Sequence, residues 1–181
     1  MKVIGFAGLP GSGKSTVIEA IEDLGLVITM GDVIRNEAKK KGLEPTDENL
    51  GKIAKEIRVE GGPDIVAEKC VELIKEQNTK VIFIDGLRSM AELKVFRKSW
   101  NVPVVVTKLP KEIRFKRLAS RGRSDDPNTI EDLKVRDERE IGFGVQEVID
   151  KAEHFLSTEP SIETVIKQAR ELVQKILSHL D

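Results

Sequence analysis

Near the start of the chain, Gly8-Leu9-Pro10-Gly11-Ser12-Gly13-Lys14-Ser15-Thr16 sets glycines at measured spacing ahead of a lysine and two hydroxyls. The pattern is G-x-x-x-x-G-K-[ST], and its chemistry is phosphate capture. Glycines let the backbone turn so that several N–H groups, Ser12 among them, converge on phosphate oxygens. A helix beginning near Gly13 adds its positive N-terminal end. Lys14 reaches β- and γ-phosphates, and the Ser15 hydroxyl binds Mg²⁺. A second piece is Val81-Ile82-Phe83-Ile84-Asp85, four apolar residues ending in a carboxylate. At the C-terminal edge of an open α/β sheet, where ligands collect, Asp85 would hold Mg²⁺ through its coordinated waters.

Both pieces need a scaffold that delivers them to one edge. Short β-branched runs alternate with long amphipathic ones, which argues for an α/β domain around a parallel sheet. The expected strands are Val3–Ala7, Val27–Thr29, Val81–Asp85, Val104–Lys108 and His154–Ser157. Helical patterns cover Lys14–Leu24, Asp32–Lys41, Asn49–Glu60, Asp64–Lys75, Ala91–Ser99, Glu112–Ser120, Ile130–Glu140, Val145–Ala152 and Ile162–Leu180. Lys39-Lys40-Lys41 followed by Gly42 marks a helix stop, and Ser161 is an N-cap for the last helix. That helix should lay Ile166, Ala169, Val173 and Ile176 against the sheet. Three helices without an intervening strand between Gly31 and Lys75 suggest a helical insert. A polar loop from Arg121 to Asn128 interrupts two further helices. Moving parts sit in such places.

Composition bounds the rest. A chain of 181 residues makes one domain, with room for a small insert. Lys+Arg (30) and Asp+Glu (31) cancel to a net charge of −1, so there is no basic footprint and nucleic acid is not the default partner. One cysteine excludes an internal disulfide and fits a reducing compartment. No apolar run is long enough for a bilayer, and Met1-Lys2-Val3-Ile4-Gly5 carries no signal-peptide core. A cytoplasmic location without membrane partners is the expectation.

The loop reads G-x-P-G-x-G-K-x-T, a form that resembles adenylate kinase and the nucleoside-monophosphate kinases. Other segments match in order. Gly31-Asp32-Val33-Ile34-Arg35 resembles G-D-x-x-R on the family's acceptor-binding helix, which implies that Arg35 grips the acceptor phosphate. Leu50-Gly51-Lys52 through Val66 is similar to the helical acceptor-binding insert. Asp85-Gly86-Leu87-Arg88 resembles D-G-F-P-R, whose arginine also meets that phosphate. Arg117-Leu118-Ala119-Ser120-Arg121 resembles the lid entry and Arg123-Ser124-Asp125-Asp126 its exit, with Arg136 on the following helix. Most of the chain resembles a family of small archaeal P-loop proteins related to adenylate kinase and dephospho-CoA kinase. The resemblance implies a five-stranded parallel sheet of order 2-3-1-4-5, an insert at about 31–75 and a short lid at about 117–136 within one domain. It implies ATP and Mg²⁺ as cofactors: Gly8, Pro10, Gly11, Ser12, Gly13, Lys14, Ser15 and Thr16 around ATP, Ser15 and Asp85 at the metal, and Arg35 and Arg88 on the acceptor. Lys14 and the lid arginines Arg117, Arg121, Arg123 and Arg136 would face the transferred phosphoryl group.

The arginines make sense without the resemblance. Phosphoryl transfer spreads negative charge over equatorial oxygens, and a permanently charged fork binds two of them at once. Arg117 and Arg121, four apart, share a helix face and repel unless an anion lies between them. Glu112 with Lys116, and Asp132 with Arg136, are spaced for ordinary helix salt bridges, and Arg139 reads as one more such charge. Departures from the pattern fall on the acceptor side. Only two residues separate Asp85 from Arg88 where the family has three. Met30 replaces a threonine near the acceptor base, and Glu92 replaces a glutamine that reads adenine. Both weaken AMP as the acceptor.

Two kinase readings stay open. A phosphate-bearing, nucleoside monophosphate-like acceptor attacks through an ionised oxygen and needs no base. An alcohol acceptor, as in dephospho-CoA kinases, would use Asp32 to take its proton. A third reading is a regulatory protein in which ATP orders the insert and lid without any acceptor. Cys70, His154, Trp100 and Phe143 are read as packing residues, and one cysteine with two histidines leaves a zinc site without ligands.

Overall fold

The structure, a computed structural model, describes residues 1–180. Its frame is a five-stranded, all-parallel sheet: β1 (Lys2–Ala7), β2 (Leu26–Thr29), β3 (Val81–Leu87), β4 (Val104–Lys108) and β5 (His154–Ser157), ordered β2-β3-β1-β4-β5. Side-chain alternation sorts the strands into two cores. Val3, Ala7, Ile82, Ile84, Val104 and Val106 turn to one face, where α2 (Met30–Lys40), α4 (Ile65–Lys75), α5 (Met90–Arg97) and α8 (Val145–Lys151) cover them. Ile4, Phe6, Phe83 and Val105 turn to the other, under α1 (Lys14–Glu19) and α9 (Ile162–His179). Phe6 and Phe83 meet edge to face at 5.9 Å between ring centres. Burial on both faces is why these strands are apolar throughout.

The insert adds α3 (Asp47–Gly61) between α2 and α4 with no strand between them, as expected. Its start is set by Thr46, whose hydroxyl accepts from the Asn49 amide at 3.3 Å. Beyond β4, α6 (Lys111–Arg121) and α7 (Ile130–Phe143) flank the polar loop. Thr129 and Asp132 close a reciprocal capping box at the start of α7.

Three expectations needed correction. The helix after the phosphate loop stops at Glu19, and Glu22–Leu24 forms a separate 3₁₀ turn, because Ile21 has to reach the core beside α9. On α9 the buried stripe is Val165, Ala169, Val173 and Ile176. Ile166 lies one residue round the helix and is exposed. Neither expected helix salt bridge forms: Glu112 and Lys116 make no ion pair among the described residues, and Asp132 is consumed by the cap while Arg136 turns to other partners.

Candidate active site

All five strands end at one edge, and the loops leaving them line a cleft of about 420 Å³. The phosphate loop, Gly8 to Thr16, forms its floor between β1 and α1. Gly13 has φ +87°, and a Cβ there would come within 2.6 Å of the Thr158 hydroxyl, so the sharp turn and the close neighbour both demand glycine. Ser12 Oγ and Thr107 Oγ1 share a hydrogen bond at 2.7 Å, and Thr158 Oγ1 donates to the Ser12 carbonyl at 2.8 Å. These bonds tie the loop to the ends of β4 and β5.

Lys14 is half-buried, and its Nζ donates to the Gly8 carbonyl at 2.7 Å. Burial lowers its pKa, against the pull of Asp85. Asp85, two residues before the end of β3, is shifted the other way. Burial raises its pKa although Lys14 and Arg88 oppose the shift. Its Oδ1 is buried without a hydrogen-bond partner. A buried carboxylate oxygen in the wall of a cleft, beside a phosphate cradle and left unsatisfied by the protein, fits a divalent cation. Ser15 lines the same floor.

Arg88 reaches the cleft despite the shortened spacing. The pairing of β1 with β3 slips after Asp85, where Phe6 faces Asp85 and Ala7 faces Leu87, which leaves Gly86 as a bulge at φ +97°. A bulge bends the strand and re-aims the side chains beyond it. Arg88 then pairs through Nε with Glu140 of α7 at 2.9 Å. Across the cleft Arg35, on α2, donates to Asp32 Oδ1 at 3.0 Å. Arg35 lines the cleft and Asp32 does not.

Arg117, Arg121, Arg123 and Arg136, the arginines expected at a lid, all line the cleft. Arg117 donates to the Thr158 hydroxyl at 3.1 Å and carbonyl at 2.6 Å. Arg121 forks onto Asp126, which also accepts from the Arg123 amide at 2.8 Å. Burial works against the Asp126 charge, yet Arg121 and that amide hold its pKa below the ordinary value. Repulsion between Arg117 and Arg121 is thus relieved by separate partners. Arg123 enters the cleft with no ion-pair partner among the described residues. Arg136 binds the Asp125 carbonyl at 2.6 Å and carboxylate at 3.1 Å.

Sequence reasoning missed Arg114, Asp137, Glu140, Thr158 and Asp47. Arg114 is buried and forks onto Asp137 at 2.9 and 2.6 Å while donating to the Pro10 carbonyl at 2.8 Å. Its signal was present, since residues 114, 117 and 121 recur on one helix face. Nothing local marks Glu140 or Asp47, whose partners lie 52 and 92 residues away. The residues at the replaced positions also declare themselves. Glu92 is fully buried, with Oε1 taking Arg58 at 2.7 Å and Oε2 taking the Arg88 amide at 2.8 Å. Arg58 lies 4.5 Å over the Phe143 ring, and Met30 is in the core. Cys70 is likewise buried, its thiol pushed up to about 12 by burial.

Comparisons with known proteins agree with this architecture. An AAA domain profile matches residues 7–134. A UPF0200 protein of Methanosarcina mazei is 41% identical over 98% of this chain and 96% of its own length. A UPF0200/UPF0201 protein of Archaeoglobus fulgidus is 42% identical over the whole chain, which spans 58% of that longer relative. Among solved structures, shikimate kinase from Acinetobacter baumannii, in complex with shikimate, superposes over 99% of this chain and 94% of its own with a TM-score of 0.62 at 18% identity. At that identity the likeness is one of fold.

Proposed function

The chain belongs to the archaeal UPF0200 family and carries an AAA-type P-loop domain of kinase-like fold, and we propose that it is an ATP-dependent phosphotransferase acting on a small phosphate-bearing acceptor. One observation carries the reading. A phosphate cradle, a buried carboxylate oxygen without a protein partner and six arginines line a single cleft. Of the seven cationic side chains there, Arg35, Arg88, Arg121 and Arg136 are ion-paired with Asp32, Glu140, Asp126 and Asp125, while Lys14, Arg117 and Arg123 make no ion pair among the described residues and leave an excess of positive charge. A triphosphate together with a second anion matches that excess.

The roles follow from position. Gly8 to Thr16 hold the donor phosphates on main-chain amides, with Lys14 released from the Gly8 carbonyl to meet them. Arg117, with Pro160 and Ile162 opposite, borders the end of the floor that would take the nucleoside. Ser15 and Asp85 would hold Mg²⁺, which supplies charge neutralisation between donor phosphates when bound. Arg35 and Arg88 grip the acceptor anion. Arg121, Arg123 and Arg136 close over the equatorial oxygens and exclude water, the competing nucleophile.

Asp32 favours an acceptor that needs no base. Its carboxylate lies off the cleft wall and is paired with Arg35, while Asp125 and Glu140 are held by arginines. Glu92, sealed by Arg58, leaves adenine no reader at that position. The buried single thiol fits a reducing, cytoplasmic setting. The test is a γ-labelled transfer screen over nucleoside monophosphates, nucleosides, dephospho-CoA and shikimate. Label on a phosphate oxygen of the acceptor, as in a nucleoside monophosphate, is the expected result. Label on an alcohol oxygen would return Asp32 to the base role, and tight Mg-ATP binding without any transfer would favour a regulatory protein.

A further inference from the structure

We propose that Asp47 is a positioning residue that couples the helical insert to the lid, setting Arg136 against the cleft only when α3 lies on α7. The proposal rests on the reading of Arg136 as a group that faces the transferred phosphoryl.

Asp47 is the first residue of α3, and its place is rigid. Thr46 caps the helix, and Asn49 Nδ2 donates to the Glu44 carbonyl at 2.9 Å. From there its carboxylate leaves the insert and meets the lid helix. Arg139 forks onto both oxygens at 2.9 and 2.6 Å. Oδ1 also stands 3.4 Å from Arg136 Nε, close enough for ion pairing. That Nε is buried and makes no hydrogen bond, so a small further approach of α3 would complete the contact.

The neighbouring surface is shaped for the same meeting. Gly51 follows Asp47 by one turn, and a Cβ there would lie 2.7 Å from Arg139 Nη1. Bare backbone at 51 leaves the guanidinium room on α3, and a methyl there would make the Arg139 side chain shift. A second stitch joins the loops ahead of the two helices, where Ser124 donates to the Pro45 carbonyl at 3.2 Å. Side chains of Arg136 and Arg139 are only 15% and 14% exposed, so these pairs are not freely solvated surface bridges. Losing one partner leaves a half-buried charge unanswered.

Neither Asp47 nor Arg139 lines the cleft, whereas Arg136 and Glu140 on the same helix do. Asp47 therefore acts through α7. Seating the insert fixes Arg136 between Asp125 and Asp47, and α7 also carries Glu140, which holds Arg88. Acceptor groups and lid groups are thereby assembled together, which ties closure to occupancy on both sides.

The test compares the full chain with Asp47→Asn, Gly51→Ala and Arg139→Lys. Readouts are amide hydrogen exchange with and without Mg-ATP, calorimetric ATP affinity, and thermal melting as a check of the fold. In the parent chain, Mg-ATP should slow exchange in residues 121–139 and also in the first turn of α3. Asp47→Asn and Gly51→Ala should keep ATP affinity and lid protection while losing the protection of α3, with Arg139→Lys intermediate. With an acceptor from the transfer screen, kcat should fall about 10- to 100-fold for Asp47→Asn with ATP KM unchanged, the scale of a misplaced catalytic group. Protection of α3 that survives both substitutions, or never appears in a parent chain that binds ATP, overturns the coupling and leaves the donor site standing. A parent chain that gives no heat with Mg-ATP overturns the donor reading, and the coupling falls with it.

Discussion

Burial shifts the Lys14 pKa down and the Asp85 pKa up, each toward its neutral form, and each group's charge opposes the other's shift. Such a pair is costly to the empty protein and useful to a charged ligand. The sign can be worked out for Asp85. Its folded-state pKa is raised, so its contribution to stability is full below the ordinary carboxylate pKa and lost as pH rises through the folded value. An amide imitates the protonated form at neutral pH. Asp85→Asn should therefore melt higher than the parent without ligand, while Mg-dependent ATP affinity drops by roughly 10- to 100-fold, as for a charged hydrogen-bond partner. Calorimetry and a melt on the same sample decide it, and a lower melting temperature would contradict the burial argument. Lys14→Ala should weaken ATP binding on a similar scale with the fold kept. Arg35→Ala should instead raise the acceptor KM by roughly 10- to 100-fold, with ATP affinity little changed. An effect of Arg35→Ala on ATP alone would mean that the insert faces the donor.

Elements act here as levers that carry charge to the cleft. Helix α6 presents Arg114, Arg117 and Arg121 on one side, but they end in different work: Arg114 on the Pro10 carbonyl, Arg117 on Thr158, Arg121 on Asp126. The bidentate pair of Arg114 with Asp137 joins α6, α7 and the phosphate loop in the interior. Removing the guanidinium strands a buried carboxylate, so Arg114→Ala should cost about 3–5 kcal/mol of stability by denaturant unfolding. Replacing both partners together by apolar residues of like volume should cost less. That comparison separates the penalty of an orphaned charge from the worth of the pair. The bulge at Gly86 is a second lever. It interrupts the regular pairing of β3 just before Arg88, which lines the cleft.

For the molecule as a whole, ligand and fold stability are linked, because the cleft is assembled where the five strands end. Mg-ATP at a hundred times its Kd should add about 2.7 kcal/mol, or roughly 5–10 °C in melting temperature for a domain of this size. A scan at graded nucleotide concentrations measures this, and no shift at saturation would mean that nothing binds the folded state preferentially. None of the described helices is long and apolar enough to cross a membrane. The sheet is buried under helices on both faces, so its central strands are closed to added partners and the cleft lies at the strand ends.

Much of this was legible in the residues themselves because it is local. The phosphate loop, the apolar strand that carries Asp85 (which runs on to Leu87 rather than stopping there), the β4 and β5 limits and the Ser161 cap all depend on neighbours within a few positions. Periodicity likewise placed three helices in a row between β2 and β3. Missing was whatever depends on which distant side chain arrives opposite. Asp47 meeting Arg139, Glu140 meeting Arg88 and Arg58 sealing Glu92 are encounters made by chain crossings, with no trace in local pattern. The same reason explains why Ile166 could be mistaken for core, since a helix's period says which residues share a face but not which face the sheet will take. A phosphate site can be written in consecutive residues because main-chain amides and a helix start build it. How charges pair around that site is settled only when the fold brings the ends of five strands to one edge.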